Sequence, residues 1–367
     1  MKMPAEHIRE EIRKADVIPF ARFMELALYC PETGYYERNL DNVGRHGDFI
    51  TSVSVGSLFG ELLAFQFSKW LEELEPFKIK NKKLKILEAG AHDGKLAADI
   101  LNWLQIHRPK LFSEIEYVII EPSPVRKKWQ QETLREFSNV RWLNCQLSTL
   151  NSQLSGILFS NELLDAFPVH RFGWYAKEKK WFELGVALNG EIFVWSRIIP
   201  HSSDAALPSA ICHLPSSLLE VLPDGYTIES SPAAENWWRD AAQFLIHGKL
   251  LAIDYGFTDS EMISPARTNG TLRAYAQHRI SDNLLANPGE QDLTAHVNFT
   301  AIKKVGEGAG LKTETFCTQP QFLTPILGAA VKENIFTTLD AKQVRQFQTL
   351  THPDHLGRAF RVLVQSR

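Results

Sequence analysis

The pattern of apolar and polar positions changes along the chain and separates it into segments. Residues 1–29 predict two amphipathic helices with a break at Pro19, and residues 57–74 repeat apolar positions at helical spacing. From residue 84 onward, short apolar runs of strand length alternate with amphipathic helices. This alternation predicts an α/β fold with a parallel sheet and right-handed crossovers.

The predicted strands of this sheet cover residues 84–90, 115–122, 140–145, 156–168, 249–256, 311–319 and 360–366. Residues 174–196 interrupt the rhythm with an alternation typical of antiparallel strands, and Asn189 with Gly190 predicts a hairpin turn. Residues 257–296 predict loop structure. We therefore expect a helical N-terminal region (1–75), a first part of the α/β core (76–168), a β-rich insertion (169–235) and the remainder of the core (236–367).

Composition and charge exclude several classes of protein. The net charge of −3 gives no global field that would attract nucleic acid or an anionic membrane, and no apolar window is long enough to span a bilayer. The four cysteines are scattered and free of C-x-x-C spacing, which suits a reducing compartment. The first twenty residues mix acids and bases without an apolar stretch. These features predict a cytoplasmic protein. No metal site is expected, because the pair His352 and His355 lacks a third ligand.

A glycine-containing turn follows the first predicted strand and opens a helix. It reads Glu88-Ala-Gly90-Ala-His92-Asp-Gly94. Glycine allows the backbone to approach a ligand closely, and the helix N-terminus behind it offers free N–H groups. The motif indicates a nucleotide-like cofactor, although a tight turn without a ligand is the alternative. Its G-x-x-x-G spacing does not match the dinucleotide fingerprint, which disfavours a nicotinamide dehydrogenase.

Polar residues also end the second and fourth predicted strands. Glu121 can accept hydrogen bonds from both ribose hydroxyls of a nucleotide, with Ser123 nearby, although a helix cap is the alternative. Asn161, Glu162 and Asp165 lie at the end of the fourth strand, where open α/β sheets bind ligands. These residues predict an active site at the carboxyl edge of the sheet.

Three further segments carry polar residues. Asp48, Thr51 and Ser52 belong to the sequence GDFITS, which would suit a lid over a zwitterionic ligand or the start of a helix. Asp254 ends the fifth strand and places another acid at the same edge. The segment Asp292–His296 is interpreted as a helix N-cap.

Nine ordered segments give the chain a resemblance to a known family. From about residue 18 to the C-terminus they are IPFARFMELALYCPETGYY, GDFITS, FGELLA, EAGAHDGKLAADIL, NELLDAFPVHRF, AIDYG, GTLRAYAQH, QDLTAHVNF and GRAFRVLV. The sequence resembles the MidA family of methyltransferases, which includes the mitochondrial complex I assembly factor. The resemblance implies a Rossmann-like class I fold and S-adenosyl-L-methionine as cofactor. It also implies methylation of a protein arginine, in support of respiratory complex assembly, with a homodimer left open.

The resemblance also implies roles for individual residues. The cofactor-binding candidates are Asp48, Thr51, Ser52, Glu88, Gly90, His92, Gly94, Glu121, Ser123 and Asn161. The catalytic candidates are Asn161, Glu162 and Asp165, and the two acids are expected to hold a guanidinium group, which carboxylates bind bidentately.

Two positions depart from the family pattern. His92 stands where the family usually has glycine, and Val53-Ser54 replaces the Pro-Glu of its TSPE motif. An alternative function is therefore an assembly factor that keeps the fold but has lost efficient catalysis.

Overall fold

The computed structural model describes residues 2–38, 51–74, 83–144, 147, 153–198, 216–264, 267–276, 279–281, 283–336 and 339–367. Helices and strands cover most of these residues. The helices are α1 (Pro4–Ala15), α2 (Phe20–Tyr29), α3 (Ser52–Val55), α4 (Leu58–Leu74), α5 (Lys95–His107), α6 (Pro109–Glu114), α7 (Pro124–Thr133), α8 (Ser216–Leu219), α9 (Pro232–Phe244), α10 (Asp259–Met262), α11 (Phe299–Gly308), α12 (Gln319–Lys332) and α13 (Ala341–Thr351). A 3-10 turn covers Leu164–Ala166.

The strands, in chain order, are β1 (Val17–Pro19), β2 (Leu84–Ala89), β3 (Ile115–Ile120), β4 (Val140–Leu143), β5 (Leu154–Asn161), β6 (His170–Tyr175), β7 (Lys180–Asn189), β8 (Ile192–Arg197), β9 (Thr227–Ser230), β10 (Leu245–Phe257), β11 (Arg273–Ala276), β12 (Arg279–Ser281), β13 (Asp292–Thr294), β14 (Val297–Asn298), β15 (Lys312–Thr318) and β16 (Phe360–Ser366).

A central eight-stranded sheet forms the α/β core. Its order is β15-β16-β10-β5-β2-β3-β4, with β14 paired to β10. Strands β2 to β5 and β10 run parallel, and β16 lies antiparallel between β10 and β15. The parallel α/β sheet expected from the sequence is therefore confirmed, and the carboxyl ends of β2, β3, β5 and β10 meet at one edge.

Apolar side chains cover both faces of this sheet. Helices α4, α5, α12 and α13 pack on one face, where Phe67 meets Phe159 with ring centroids 5.1 Å apart. Helices α9 and α11 pack on the other face, where Trp238 is fully buried and its indole N–H donates to Gln365 Oε1 at 2.8 Å. Burial on both faces explains why these strands read as continuous apolar runs.

A second sheet joins the N-terminal extension to the β-rich insertion. Strand β1 pairs with β7, with Val17 opposite Ala187, while β6, β8 and β9 complete the sheet. Helices α1 and α2 share a core with this sheet and with β13, and Phe20, Val186 and Leu293 are buried in it. The sequence predicted the two segments separately and did not predict that they pair.

The hairpin within this sheet agrees with the sequence pattern. Asn189 pairs with Ile192 across the β7–β8 turn, and Gly190 adopts a φ of +60°, which glycine tolerates. The nearby tryptophans pack inward, since Trp174 is only 2% exposed and lies 5.2 Å from the ring of Trp181.

The predicted loop at residues 257–296 is the main difference in the fold. It contains α10 and a three-stranded sheet in which β11 pairs with both β12 and β13. Asp292 lies on β13 opposite Tyr275, so the interpretation of Asp292 as a helix N-cap was wrong. Strands of three or four residues are too short to produce a recognisable alternation.

No helix in the described ranges has both the length and the apolar character needed to cross a membrane.

Two glycines where β5 and β10 approach each other give a test of the central sheet. Gly248 pairs with Gly156, and a Cβ on Gly248 would lie 1.8 Å from the carbonyl oxygen of Gly156. With φ at +134°, Gly248→Ala should lower the free energy of unfolding by about 3 kcal/mol, measured by urea denaturation. At the exposed position 328 of α12, Gly328→Ala meets nothing within 4 Å and should be neutral or stabilising by about 0.5 kcal/mol. Equal losses in both variants would contradict the argument.

Candidate active site

The turn after β2 has the backbone shape of a ligand cradle. Gly90 adopts a φ of +76°, and Gly94, the N-cap of α5, adopts a φ of +83°. A Cβ on Gly90 would lie 2.9 Å from Leu163 Cδ1, and one on Gly94 would lie 3.3 Å from Gln130 Cα. Gly90 therefore allows the turn to lie close to the end of β5, and Gly94 allows α7 to lie close to the turn. This cradle fits a nucleotide-like cofactor at the N-terminus of α5.

His92 occupies the same turn with a φ of +46°, in the left-handed region. Its Nε2 lies 3.0 Å from Arg126 Nη1. Its ring contacts Trp129 edge-on, with the ring centroids 6.0 Å apart. Because a guanidinium only donates hydrogen bonds, His92 Nε2 accepts this one. The imidazole is thus held against α7, which supplies both partners.

Glu121 lies at the end of the neighbouring strand β3 and is 6% exposed. Its Oε1 accepts from the backbone N–H of Ser123 at 2.9 Å, and its Oε2 accepts from Gln130 Nε2 at 2.7 Å. Burial raises the pKa of Glu121 to about 7, against the lowering effect of these two donors. Ser123 also caps α7, since its hydroxyl accepts from the backbone N–H of Arg126.

Glu88 ends β2 and is buried beside Tyr117 of β3. The Tyr117 hydroxyl donates to Glu88 Oε2 at 2.7 Å. Burial raises the pKa of Glu88 to about 8, and the hydrogen bond only partly offsets this effect. A carboxyl group with this pKa would ionise more readily beside a cationic ligand group.

The end of β5 holds polar atoms that lack protein partners. Asn161 Nδ2 donates to Glu162 Oε1 at 3.0 Å, and the backbone N–H of Ser52 donates to the same oxygen at 3.0 Å. Asn161 Oδ1 and Glu162 Oε2 are buried without a hydrogen-bond partner among the described residues. Burial raises the pKa of Glu162 to about 8. Buried polar atoms without partners are rare, and here they suit a ligand.

Asp254, at the same edge, shapes the turn that follows β5. Its Oδ2 accepts from the backbone N–H groups of Leu163 and Leu164 at 3.0 and 2.8 Å, and its Oδ1 accepts from its neighbour Tyr255 at 2.8 Å. Glu162, at a φ of +50°, donates its backbone N–H to the carbonyl of Ile253. Asp254 therefore holds the backbone that positions Glu162.

The three-stranded sheet contributes a further carboxylate to this edge, that of Asp292. Asp292 is fully buried, and its Oδ1 accepts from the Tyr36 hydroxyl at 2.8 Å. The pKa of Asp165 is raised well above its usual range by burial and by the charges of Asp254, Asp292 and Glu162. The backbone N–H of Ala295 donates to the carbonyl of Asp165 at 2.9 Å, which ties β13 to the turn after β5.

The structure thus brings most of the predicted site residues to one edge. Thr51 caps the short helix α3 with its side chain, and the hydroxyl of Ser52 donates to Gln319 Oε1 at 3.2 Å. Asp48 lies outside the described residues. Sequence reasoning missed Gln130 and Tyr36, and it missed the position of Asp292. The spacing of Arg126 and Gln130, one helical turn apart, was a signal for a polar face of α7 turned inward.

The comparison with known proteins decides the family. The model of a family of S-adenosyl-L-methionine-dependent methyltransferases matches residues 62–317. The chain belongs to this family. The enzyme is therefore a methyltransferase with S-adenosyl-L-methionine as its cofactor, as the sequence resemblance implied.

Solved and curated relatives extend the match over nearly the whole methyltransferase. A Burkholderia thailandensis protein crystallised with S-adenosyl-homocysteine is 30% identical, with a TM-score of 0.84 and coverage of 99% of this chain and 92% of that one. A Drosophila melanogaster relative named protein arginine methyltransferase NDUFAF7 homolog, mitochondrial, is 27% identical over 98% of this chain and 84% of its own. The Homo sapiens relative, named protein arginine methyltransferase NDUFAF7, mitochondrial, is 28% identical over 82% and 68%.

These relatives correct one expectation. The cytoplasmic location predicted from the sequence is wrong on this comparison, because the fly, frog and human relatives are all named as mitochondrial proteins.

The raised pKa of Glu88 predicts how stability depends on pH. The unfolded chain ionises this carboxyl near its ordinary pKa of 4.5, whereas the folded protein ionises it near 8. The free energy of unfolding should therefore fall as the pH rises from about 4.5 to 8. In urea denaturation, Glu88→Gln should lie within about 1 kcal/mol of the wild type at pH 5 and exceed its stability by about 4 kcal/mol at pH 8.

The exposed Glu132 of α7 provides the control for this experiment. Glu132→Gln should follow the wild type at both pH values. A Glu88→Gln variant whose difference from the wild type is constant across pH would contradict the prediction.

Proposed function

We propose that this methyltransferase transfers the methyl group to an arginine side chain of a protein. The observation that carries the proposal is the group of buried carboxylates, Glu162, Asp165 and Asp292, beside the glycine turn. The names of the curated relatives, protein arginine methyltransferases, support it.

The charge of this group favours a cationic acceptor. The neighbouring charges that act most strongly on Asp165 are all carboxylates, and burial further penalises the ionisation of Asp165. A guanidinium is planar, stays cationic and binds carboxylates bidentately, so it would relieve this repulsion. The aromatic side chains of Tyr29 and Tyr36, stacked with centroids 5.6 Å apart, suit the flat face of such a group.

The three carboxylates differ in how free they are to bind. Glu162 has one oxygen occupied by Ser52 and Asn161, while its Oε2 has no partner among the described residues. Asp292 is oriented by Tyr36 from the N-terminal extension. We assign Glu162 to the nitrogen that is methylated, and Asp165 with Asp292 to holding the rest of the guanidinium. Asp254 is committed to the backbone turn.

S-adenosyl-L-methionine supplies a methyl group that its sulfonium already activates for in-line displacement. The protein therefore has to orient the acceptor nitrogen and receive the proton that it loses. Glu162 suits both tasks, because its pKa of about 8 lies close to neutral pH. Glu88 and Glu121, with Gly90 and Gly94, would hold the cofactor.

The lobe that adjoins the carboxylates would bind the acceptor protein. It comprises helices α1 and α2 with strand β1 from the N-terminal extension, and strands β6 to β9, which together form the second sheet and the core beneath it. Cofactor binding and acceptor recognition would then lie in different parts of the chain. A role in respiratory complex assembly, which the sequence resemblance implies, stays a prediction.

The proposal is tested by methylation of proteins in a lysate of the host cell from which the gene has been deleted. Purified wild-type enzyme with S-adenosyl-L-methionine should restore methylarginine, detected by mass spectrometry. Glu162→Gln should lower the rate at least about 100-fold, because it removes the proton acceptor. Its affinity for S-adenosyl-homocysteine, measured by calorimetry, should stay within about threefold of the wild type.

Two further variants separate acceptor binding from chemistry. Asp292→Asn should raise the KM for the acceptor about tenfold, since it weakens a charged contact without removing the proton acceptor. The exposed Glu136→Gln serves as control and should behave as the wild type. If methylation appears on lysine or histidine instead, or if Glu162→Gln keeps the wild-type rate, the assignment fails. If the enzyme binds no S-adenosyl-homocysteine, the alternative of an inactive assembly factor stands.

A further inference from the structure

The side chain of Gln130 contacts both parts of the cofactor cradle. It lies on α7 and is fully buried. Its Nε2 donates to Glu121 Oε2 at 2.7 Å and to the backbone carbonyl of His92 at 3.0 Å. An amide nitrogen carries two hydrogens, so both hydrogen bonds form at once. One group thus connects the acid after β3 with the glycine turn after β2.

The orientation of this amide is fixed by Trp142 of β4. The indole N–H of Trp142 donates to Gln130 Oε1 at 3.0 Å. Because an indole nitrogen only donates, the oxygen of the amide must face it. If the amide were reversed, its nitrogen would face the indole N–H of Trp142, donor against donor. Its oxygen would then face the carboxylate of Glu121, acceptor against acceptor. The nitrogen is therefore directed at the cradle.

The backbone of the cradle is shaped for this contact. A Cβ on Gly94 would lie only 3.3 Å from Gln130 Cα and 3.5 Å from its Cβ. Any larger residue at Gly94 would push α7 away from the turn. Within α7, Gln130 is therefore the residue that lies nearest to Gly94.

We propose that Gln130 is a positioning residue for S-adenosyl-L-methionine, which holds the carboxylate of Glu121 and the backbone of His92 in a fixed relation. The proposal rests on the ribose-binding role assigned to Glu121 and adds a residue that acts through it. It does not depend on the identity of the methyl acceptor.

Gln130, together with the backbone N–H of Ser123, also favours the ionised form of Glu121. Burial raises the pKa of Glu121 to about 7, and the Gln130 hydrogen bond favours the ionised form. The other charged or titratable groups whose fields couple to Glu121 are Glu37, Arg126, Glu88 and Tyr29. Without the amide donor, Glu121 would stay protonated to higher pH and would accept the ribose hydroxyls less well.

The test measures the affinity for S-adenosyl-homocysteine by calorimetry between pH 5.5 and 8.5. In the wild type, affinity should increase with pH as Glu121 ionises. Gln130→Met keeps the length of the side chain but has no donor. We expect binding to weaken about tenfold at pH 7.5, and the midpoint of the pH dependence to rise by about one unit.

Matched variants separate this role from simple packing. Gln131→Met makes the same substitution at the next, exposed position of α7 and should leave both affinity and midpoint unchanged. Trp142→Phe frees the amide to rotate and should shift the midpoint in the same direction by a smaller amount. In a Glu121→Gln background, Gln130→Met should produce no shift, because the carboxyl group whose pKa Gln130 lowers is gone.

The proposal is overturned if Gln130→Met weakens binding equally at every pH, which would indicate packing alone, or if it has no effect on affinity. If Glu121→Gln binds S-adenosyl-homocysteine as well as the wild type, the ribose role fails and the proposal fails with it. None of these results bears on arginine methylation, which is measured separately by methylarginine formation.

Discussion

The hydrogen bonds of the Asp254 carboxylate hold together the candidate active site. They connect the end of β10 to the turn after β5 through the backbone N–H groups of Leu163 and Leu164. This turn places Glu162 at a positive φ and carries Leu163 against Gly90 of the cofactor cradle. A shift of the turn would therefore move Glu162, Asp165 and the glycine turn together. The acid is structural, yet the positions of the functional groups depend on it.

Burial of carboxylates is the energetic cost of this arrangement. Glu88, Glu121 and Glu162 each have a pKa raised toward neutrality by the loss of water, which means that the protein is less stable when they ionise. Hydrogen bonds from Tyr117, Gln130 and the backbone of Ser52 offset only part of this loss of stability. A cationic ligand would offset more, so the groups that destabilise the free protein are those suited to bind the sulfonium cofactor and a guanidinium.

The sequence predicts the central sheet and most of the cofactor cradle, because both depend on local pattern. Long apolar runs indicate β2, β3 and β5, and the residues that end these strands, such as Glu88 and Glu121, must lie at one edge of a parallel sheet. Asp292 and Tyr36 could not be assigned in this way. Their contact joins β13 to the segment after α2, and it exists only because the N-terminal extension packs on the three-stranded sheet. Asp292 therefore looked like a helix cap until the pairing of β11 with β13 was known.

His92 shows how a local departure from a family pattern can be absorbed by its surroundings. A side chain at this position of the turn would be expected to compete with a ligand for space. Here Arg126 donates to the imidazole and Trp129 packs against it, while Gln130 binds the carbonyl of the same residue. All three partners lie on α7. The glycine that the family uses is thus replaced by a side chain that ties the turn to the helix, which explains how the cradle keeps its shape with a histidine in it.

Arg126 also donates from Nε to the backbone carbonyl of Tyr36, whose hydroxyl orients Asp292. His92, the glycine turn and Asp292 therefore belong to one connected set of hydrogen bonds.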